Sequence, residues 1–179
     1  MNPFAFLIDI LFHLYTVVLM LRLLLQWVKA DFYNPICQFI VKITNPVVIP
    51  LRRFIPGMWG IDFATLTLIL VFTSIKLIIV YGLSGYDFSL LAVILKTLIQ
   101  TVILVLDVFL FAIIIQAILS WVNPDPYNPV VALLNYLTWP ILKHFRKLIP
   151  PISGFDISPI FAIIAILFIK QTILYLLQL

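Results

Sequence analysis

Four long apolar runs constrain the fold of this chain more than any other feature. They cover about residues 3–28, 61–83, 89–122 and 155–179. Each is longer than the roughly 18 residues that an α-helix needs to cross the hydrocarbon core of a bilayer. Because 64% of the 179 residues are apolar and only 10% are charged, the chain cannot cover a water-facing surface as a soluble domain does. The sequence therefore predicts an all-α membrane protein with four transmembrane helices.

The sequence matches itself when it is displaced by 94 residues without gaps. The coincident residue types rarely match by chance, and the pairs include Trp27/Trp121, Asn34/Asn128, Pro46/Pro140, Arg52/Arg146 and Asp62/Asp156. A match of this length indicates internal duplication. We predict two repeats, residues 1–85 and 86–179, each made of two spans with a Pro-rich interfacial hairpin between them. Since two spans return the chain to its starting side, the repeats are expected to be parallel.

The basic residues indicate an orientation in the membrane. Eleven Lys and Arg against seven acidic residues leave a net charge of +4, which suits anionic lipid headgroups. Most of the basic residues outside the spans lie in the two Pro-rich stretches, whereas the linker at 84–89 carries only Asp87. The positive-inside rule therefore puts both Pro-rich stretches in the cytoplasm and both termini on the opposite side.

The Pro-rich stretches carry signals for helix starts. Asn34-Pro35 and Asn128-Pro129 each place a capping residue before a proline at the first helical position. Pro46 and Pro140 indicate a second start, so we predict two short helices in each stretch. The turn and cap residues that we expect to maintain this geometry are Asn34, Pro35, Pro56, Gly60 and Asp62 in the first repeat, and Asn128, Pro129, Pro150, Gly154 and Asp156 in the second.

The two aspartates at the ends of these stretches have two interpretations. Asp62 and Asp156 each stand where the next span begins, so they suit an N-cap or a first-turn acid that the helix dipole favours. Ser158 is an alternative cap in the second repeat. The other interpretation is a salt bridge to Arg52 or Arg146 that closes the stretch onto the bundle.

A basic face is predicted on the cytoplasmic side. Lys143, Arg146 and Lys147 share one side of an amphipathic helix, and the opposite side carries Ile141, Leu142, Phe145, Leu148 and Ile149. Such a helix lies in the interface with its basic side toward anionic headgroups. With Arg52 and Arg53 these residues form either an anchor that sets topology or a docking face for a partner. Nucleic acid is not expected, because no aromatic platform accompanies the charge.

Five ionisable residues inside the spans form a second candidate site: Asp9, His13, Lys76, Asp107 and Lys170. The rise of an α-helix puts them at similar depths in the outer half of the bundle. Since charged groups in lipid seek partners, we predict the pairs Asp9–Lys76 and Asp107–Lys170. They are either structural ion pairs or snorkelling lysines, or they line a path for an ion or substrate. Arg22, five residues before Trp27, is expected to snorkel to the interface.

The residue types that carry catalysis are sparse. His13 and His144 are far apart in predicted depth, and no Gly-rich phosphate loop or cluster of metal-ligating residues appears. Cys37, the single cysteine, has no nearby histidine and suits a packed thiol. We therefore expect no enzyme activity, no metal and no cofactor.

Both copies of the repeat resemble the YggT family, also called YlmG. The motif reads Trp121-Val122, Asp125-Pro126-Tyr127-Asn128-Pro129, Thr138-Trp139-Pro140, Phe145-Arg146-Lys147-Leu148-Ile149-Pro150 and Gly154-Phe155-Asp156-Ile157-Ser158-Pro159. The first copy follows it from Trp27 to Phe63 and departs at Ala64-Thr65, where the Ser-Pro pair is missing. The resemblance implies a bacterial inner-membrane or plastid-membrane protein without an established biochemical activity or catalytic residues. Bacterial members are linked to osmotic and ion-stress tolerance, and plastid relatives to cytochrome assembly.

The leading expectation is a non-enzymatic organiser or assembly factor of the bacterial inner membrane, active in envelope and osmotic-stress physiology. Its termini are expected in the periplasm, and a second copy or another membrane protein is its expected partner. The alternative is a small channel or transporter for an ion or solute, built on the Lys/Asp layer. Four spans enclose little space, so a conduit of this kind would need an oligomer.

Overall fold

The structure is a computed structural model that describes residues 3–58, 60–85, 87, 89–122, 128–148 and 156–177. These residues form six α-helices, which are α1 Pro3–Trp27, α2 Pro35–Arg52, α3 Phe63–Ser84, α4 Leu90–Val122, α5 Pro129–Leu148 and α6 Ser158–Leu176. Within these ranges there is no β-strand, and one isolated antiparallel bridge joins Met58 and Ile61. The all-α prediction is confirmed.

Four of the helices are long and apolar enough to cross a membrane, namely α1, α3, α4 and α6. They coincide with the four predicted spans. The 33 residues of α4 would extend about 50 Å at 1.5 Å per residue. Since the hydrocarbon core is about 30 Å thick, α4 must tilt or continue into the interface.

The chain forms two compact units. Unit 1 comprises Met1–Trp27 and Gln38–Val105, and unit 2 comprises Val28–Cys37 and Leu106–Leu179. In unit 1, α1 packs along α3, and the ring of Phe72 contacts those of Phe12 and Tyr15 at centroid distances of 5.9 and 5.1 Å. In unit 2, α5 packs against α6. The predicted repeat boundary between residues 85 and 86 stays a prediction.

Each Pro-rich stretch forms one helix, so the prediction of two short helices is wrong. Helix α2 continues through Pro46 and Pro50, and α5 continues through Pro140. A proline in a helix lacks the N–H that would bond the carbonyl four residues earlier. The preceding turn has other support, because the hydroxyl of Thr44 donates to the carbonyl of Ile40 at 2.7 Å. Thr138 donates in the same way to Leu134 at 2.8 Å.

Candidate functional site

The beginnings of α2 and α5 are capped by asparagine. The side-chain oxygen of Asn34 accepts from the backbone N–H of Ile36 at 2.9 Å. Asn128 accepts from the N–H of Val130 at the same distance, so both caps satisfy a backbone donor of the first turn. The side-chain amide of Asn34 also donates to the carbonyl of Pro129 at 2.7 Å. This bond, within unit 2, joins the two helix starts.

The end of α2 is tied to the start of α3 by an arginine–aspartate pair. Arg52 Nη2 and Nε lie 2.5 and 3.2 Å from Oδ2 of Asp62. Asp62 is also the N-cap of α3, because its Oδ1 accepts from the N–H of Thr65 at 3.3 Å. The Asp62 side chain is 1% exposed, whereas that of Arg52 is 41% exposed. The two interpretations of Asp62, cap and salt bridge, thus hold together in one residue.

The second repeat contains the equivalent pair with fewer bonds. Arg146 Nε donates to Oδ2 of Asp156 at 2.8 Å, and Oδ1 of Asp156 accepts from the N–H of Ser158 at 2.9 Å. The side chains of Arg146 and Asp156 are 35% and 27% exposed. Ser158, the alternative cap, does not serve as the N-cap of α6. That position is Ile157, which makes no side-chain capping hydrogen bond. We call Arg52–Asp62 and Arg146–Asp156 the Arg–Asp clamps.

Both clamp aspartates are held in the charged form. Burial by itself raises the pKa of Asp62, but the hydrogen bonds from Arg52 and Thr65 outweigh it, so the pKa lies below its usual value. For Asp156, burial is likewise outweighed by the bonds from Ser158 and Arg146, and the pKa is again lowered. The clamps therefore remain salt bridges at neutral pH.

The turn that precedes Asp62 depends on a glycine. Gly60 has a φ of +81°, which is in the left-handed region that side chains disfavour. The turn is closed by the backbone bonds between Met58 and Ile61 at 3.1 and 3.0 Å. Pro56 lies just after the end of α2, where it cannot continue the helix. The corresponding predictions for Pro150 and Gly154 lie outside the described residues.

Arg22 is buried, so the expectation that it snorkels to the interface is wrong. Its side chain is 4% exposed, and its Nη1 donates to the hydroxyl of Thr44 at 2.5 Å and to Asn45 at 2.9 Å. It also approaches the carbonyl of Val41 at 3.4 Å. Hydrogen bonds to a charged group contribute more than those between neutral groups. Arg22 therefore fastens α1 to the middle of α2.

In the second repeat, neutral side chains join the corresponding helices, α4 and α5. Gln116, which is 94 residues after Arg22, donates to the side-chain oxygen of Asn135 at 2.7 Å. The hydroxyl of Thr138 contacts the side-chain oxygen of Gln116, at the repeat position where the hydroxyl of Thr44 accepts from Arg22. The sequence signal that would have found the contact of Arg22 is the coincidence of a polar residue at the same repeat position in two apolar spans.

The charged residues within the spans pair as the spacing predicts. Lys76 Nζ lies 3.2 Å from Oδ1 of Asp9 in unit 1, and Lys170 Nζ lies 2.5 Å from Oδ1 of Asp107 in unit 2. His13 is exposed, and within the described ranges its ring has no hydrogen-bond partner. These four charges therefore form two ion pairs, one in each unit.

The residues of the predicted basic face differ in their contacts. Lys143, Lys147 and Arg53 are exposed, whereas Arg52 and Arg146 are engaged in the clamps. The buried side of α5 consists of Leu133, Leu134, Leu137, Thr138 and Leu142. Leu148, the last residue of α5, is 77% exposed, which is compatible with a side chain on the lipid-facing side of the helix. The prediction for Ile149 falls outside the part of the chain that the structure describes.

Little in the described residues resembles a reactive centre. No three His, Cys, Asp or Glu side chains among them are grouped closely enough to hold a metal ion. Cys37 is buried, and burial together with the charge of Asp31 raises the pKa of its thiol. A thiol with a raised pKa is a poor nucleophile at neutral pH.

Four candidate spans and two further Pro-rich helices define a multi-span helical membrane protein. The profile of the CCB3/YggT family matches residues 1–83 and residues 95–177. The chain therefore belongs to the CCB3/YggT family, and the two matched segments agree with the tandem repeat.

The similar proteins are uncharacterised. An uncharacterised protein of Pseudomonas aeruginosa is 44% identical over 166 residues, which covers 90% of this chain and 83% of that protein. YggT of Escherichia coli K12 is 35% identical over 178 residues, covering 99% and 93%. A Vibrio alginolyticus protein encoded in the proC 3′ region is 39% identical over 173 residues, covering 94% and 91%. No solved structure matches the chain at a significant level.

Proposed function

We propose that this protein is a non-enzymatic organiser or assembly factor of the bacterial inner membrane, active in envelope and osmotic-stress physiology. The observation that carries the proposal is the pair of Arg–Asp clamps. In both repeats a clamp joins the end of a Pro-rich helix to the start of the next span. Two interfacial helices are thereby held in defined positions against the spans, which is a requirement for a scaffold and not for a flexible anchor.

The exposed basic residues indicate that these helices lie at an anionic membrane surface. Lys143 and Lys147 lie on the exposed side of α5, opposite the buried Leu137 and Leu142. Each such base near an anionic membrane surface contributes about 1 kcal/mol of binding. We infer that α2 and α5 are amphipathic helices on the cytoplasmic leaflet and that both termini are periplasmic. A homo-oligomer or another membrane protein is the partner that such a scaffold would hold.

The conduit hypothesis is not favoured. A path for ions requires groups that are available to the permeant ion, but each of the paired lysines Lys76 and Lys170 has a span aspartate as its counter-ion. Charges paired in this way hold helices together. The buried thiol of Cys37, whose pKa is raised, likewise suits a non-enzymatic role.

Complementation of a deletion strain under osmotic upshift tests the proposal. We expect Lys143→Gln/Lys147→Gln to lose complementation and crosslinking to its partner, with normal membrane levels, because the basic side of α5 is removed. The matched control is Asp9→Asn/Lys76→Gln, which neutralises a pair inside the spans and should retain function if it folds. Loss of function in the control alone, together with ion flux in wild-type proteoliposomes, would refute the scaffold and support the conduit.

A further inference from the structure

The internal duplication allows the same place to be compared in the two repeats. In unit 1 the space between α1 and α2 is occupied by the long side chains of Arg22 and Gln26. Arg22 is buried against Thr44 and Asn45. Gln26 accepts from Nη2 of Arg52 at 3.0 Å, so the guanidinium of Arg52 has acceptors in both Asp62 and Gln26.

In unit 2 the corresponding positions carry shorter side chains. Gln116 occupies the position equivalent to Arg22, and Ser120 the position equivalent to Gln26, each 94 residues later in the sequence. A cavity of about 300 Å³ lies between α4 and α5 in this unit. It is open to the outside and is lined by three aliphatic side chains and by Gln116, Ser120, Asn135 and Arg146. The second repeat therefore leaves open a volume that the first repeat fills.

The polar lining of the cavity favours a negatively charged occupant. Arg146 lines it, whereas Asp156, the carboxylate that pairs with Arg146, is not among the lining residues. Arg146 bonds to Asp156 through Nε only, and within the described ranges its terminal Nη atoms have no acceptor. The acceptor that Gln26 provides to Arg52 is missing, because Ser120 is too short to replace it. The side-chain oxygen of Asn135 already accepts a hydrogen bond from Gln116, and the side-chain oxygen of Gln116 is in contact with the hydroxyl of Thr138.

We propose that this cavity binds a phosphate-type oxyanion. The Nη atoms of Arg146 bind two of its oxygens in the bidentate geometry that suits a guanidinium. Ser120 and Asn135 add neutral donors, so the ligand supplies the acceptor that Gln26 supplies in the first repeat. The cavity includes Ser120, the last residue of the candidate span in α4, so a membrane-spanning α4 would bring it to the level of the phospholipid phosphates. The phosphate of a lipid headgroup and free phosphate have the same chemistry here. The site stands independently of the organiser function.

A variant that copies the first repeat into the second provides the test. Ser120→Gln fills the cavity and gives Arg146 an internal acceptor without touching the clamp, so the protein should remain folded. The probes are inorganic phosphate, titrated by calorimetry into the detergent-solubilised protein, and phosphatidylglycerol, retained in native mass spectrometry. We expect Ser120→Gln to weaken binding at least tenfold. The matched control Lys42→Gln removes an exposed charge outside the cavity and should change binding less than threefold.

The outcomes separate the sources and the alternatives. Binding of phosphate with no lipid retained identifies a soluble ligand. Retained phosphatidylglycerol that phosphate does not displace identifies a headgroup. Equal retention of diacylglycerol would refute the proposal, because that lipid has no phosphate. Binding that survives Ser120→Gln, or that is lost equally in Lys42→Gln, would also overturn it in favour of surface charge. If the wild type binds neither inorganic phosphate nor phosphatidylglycerol, the proposal is refuted.

Discussion

Replacement of Asp62 by asparagine tests the clamp of the first repeat, because it removes the charge and keeps the shape. Asp62 is 1% exposed and accepts from Arg52, from the hydroxyl of Thr65 at 2.5 Å and from the Thr65 N–H. The amide oxygen of the introduced asparagine can still cap α3, but the amide nitrogen takes the place of the other carboxylate oxygen and is a donor that faces Arg52 and Thr65. The loss is therefore that of charge-assisted bonds and not of the cap.

The magnitude follows from the burial of the two partners. A hydrogen bond to a charged group contributes about 1.5–3 kcal/mol. Because Arg52 is 41% exposed, water replaces part of the lost interaction, and we expect Asp62→Asn to cost about 2 kcal/mol. The clamp of the second repeat has one bond between partly exposed groups, so Asp156→Asn should cost only about 0.5–1 kcal/mol.

The assay is thermal unfolding of the purified protein in one detergent, followed by circular dichroism. With about 2–4 °C per kcal/mol for a chain of this size, Asp62→Asn should lower Tm by about 4–8 °C and Asp156→Asn by about 1–4 °C. The matched control is Asp87→Asn in the exposed linker, which should change stability by less than about 0.5 kcal/mol. An equal loss at Asp62 and Asp156, or a larger loss at Asp156, would refute the argument from burial.

Three further predictions follow from single groups. The lowered pKa of folded Asp62 stabilises the protein fully above the unfolded pKa of about 3.9, and this stabilisation is lost as pH falls through the folded pKa. Tm of the wild type should therefore fall more steeply below about pH 4 than Tm of Asp62→Asn, and parallel profiles would contradict this. Asp107→Asn should cost about 1–3 kcal/mol, because Lys170 at 2.5 Å loses its counter-ion within a span; unchanged Tm would show that the pair does not hold the helices. Cys37 should react with maleimide at least tenfold more slowly than the thiol introduced by Lys42→Cys at an exposed position, because burial raises the pKa of Cys37; equal rates would mean that the native thiol is accessible.

Local and periodic features of the sequence were enough to predict the spans, the paired charges and the helix caps. An apolar run of about 20 residues predicts a span from local composition alone. An asparagine before a proline caps a helix through atoms two residues away, as Asn34 does for Ile36. Since the rise per residue of an α-helix is constant, the depths of Asp107 and Lys170 could be calculated before their contact was known.

The predictions that failed depend on what a neighbouring helix offers. The sequence alone predicts a helix start at Pro46, but buried Thr44 and Arg22 support the turn before it, and α2 continues. Arg22 and Arg52 are the same residue type near a membrane surface, yet one is buried among neutral acceptors and the other is half exposed at a carboxylate. The duplication was visible in the sequence, but the difference in packing between the two copies was not. In the first copy Gln26 bonds to Arg52, whereas in the second a cavity lies beside Ser120, and only side-chain packing in three dimensions decided this. A sequence specifies the groups that a chain carries and their spacing along it, but the partner that each group finds across space is a property of the packed fold.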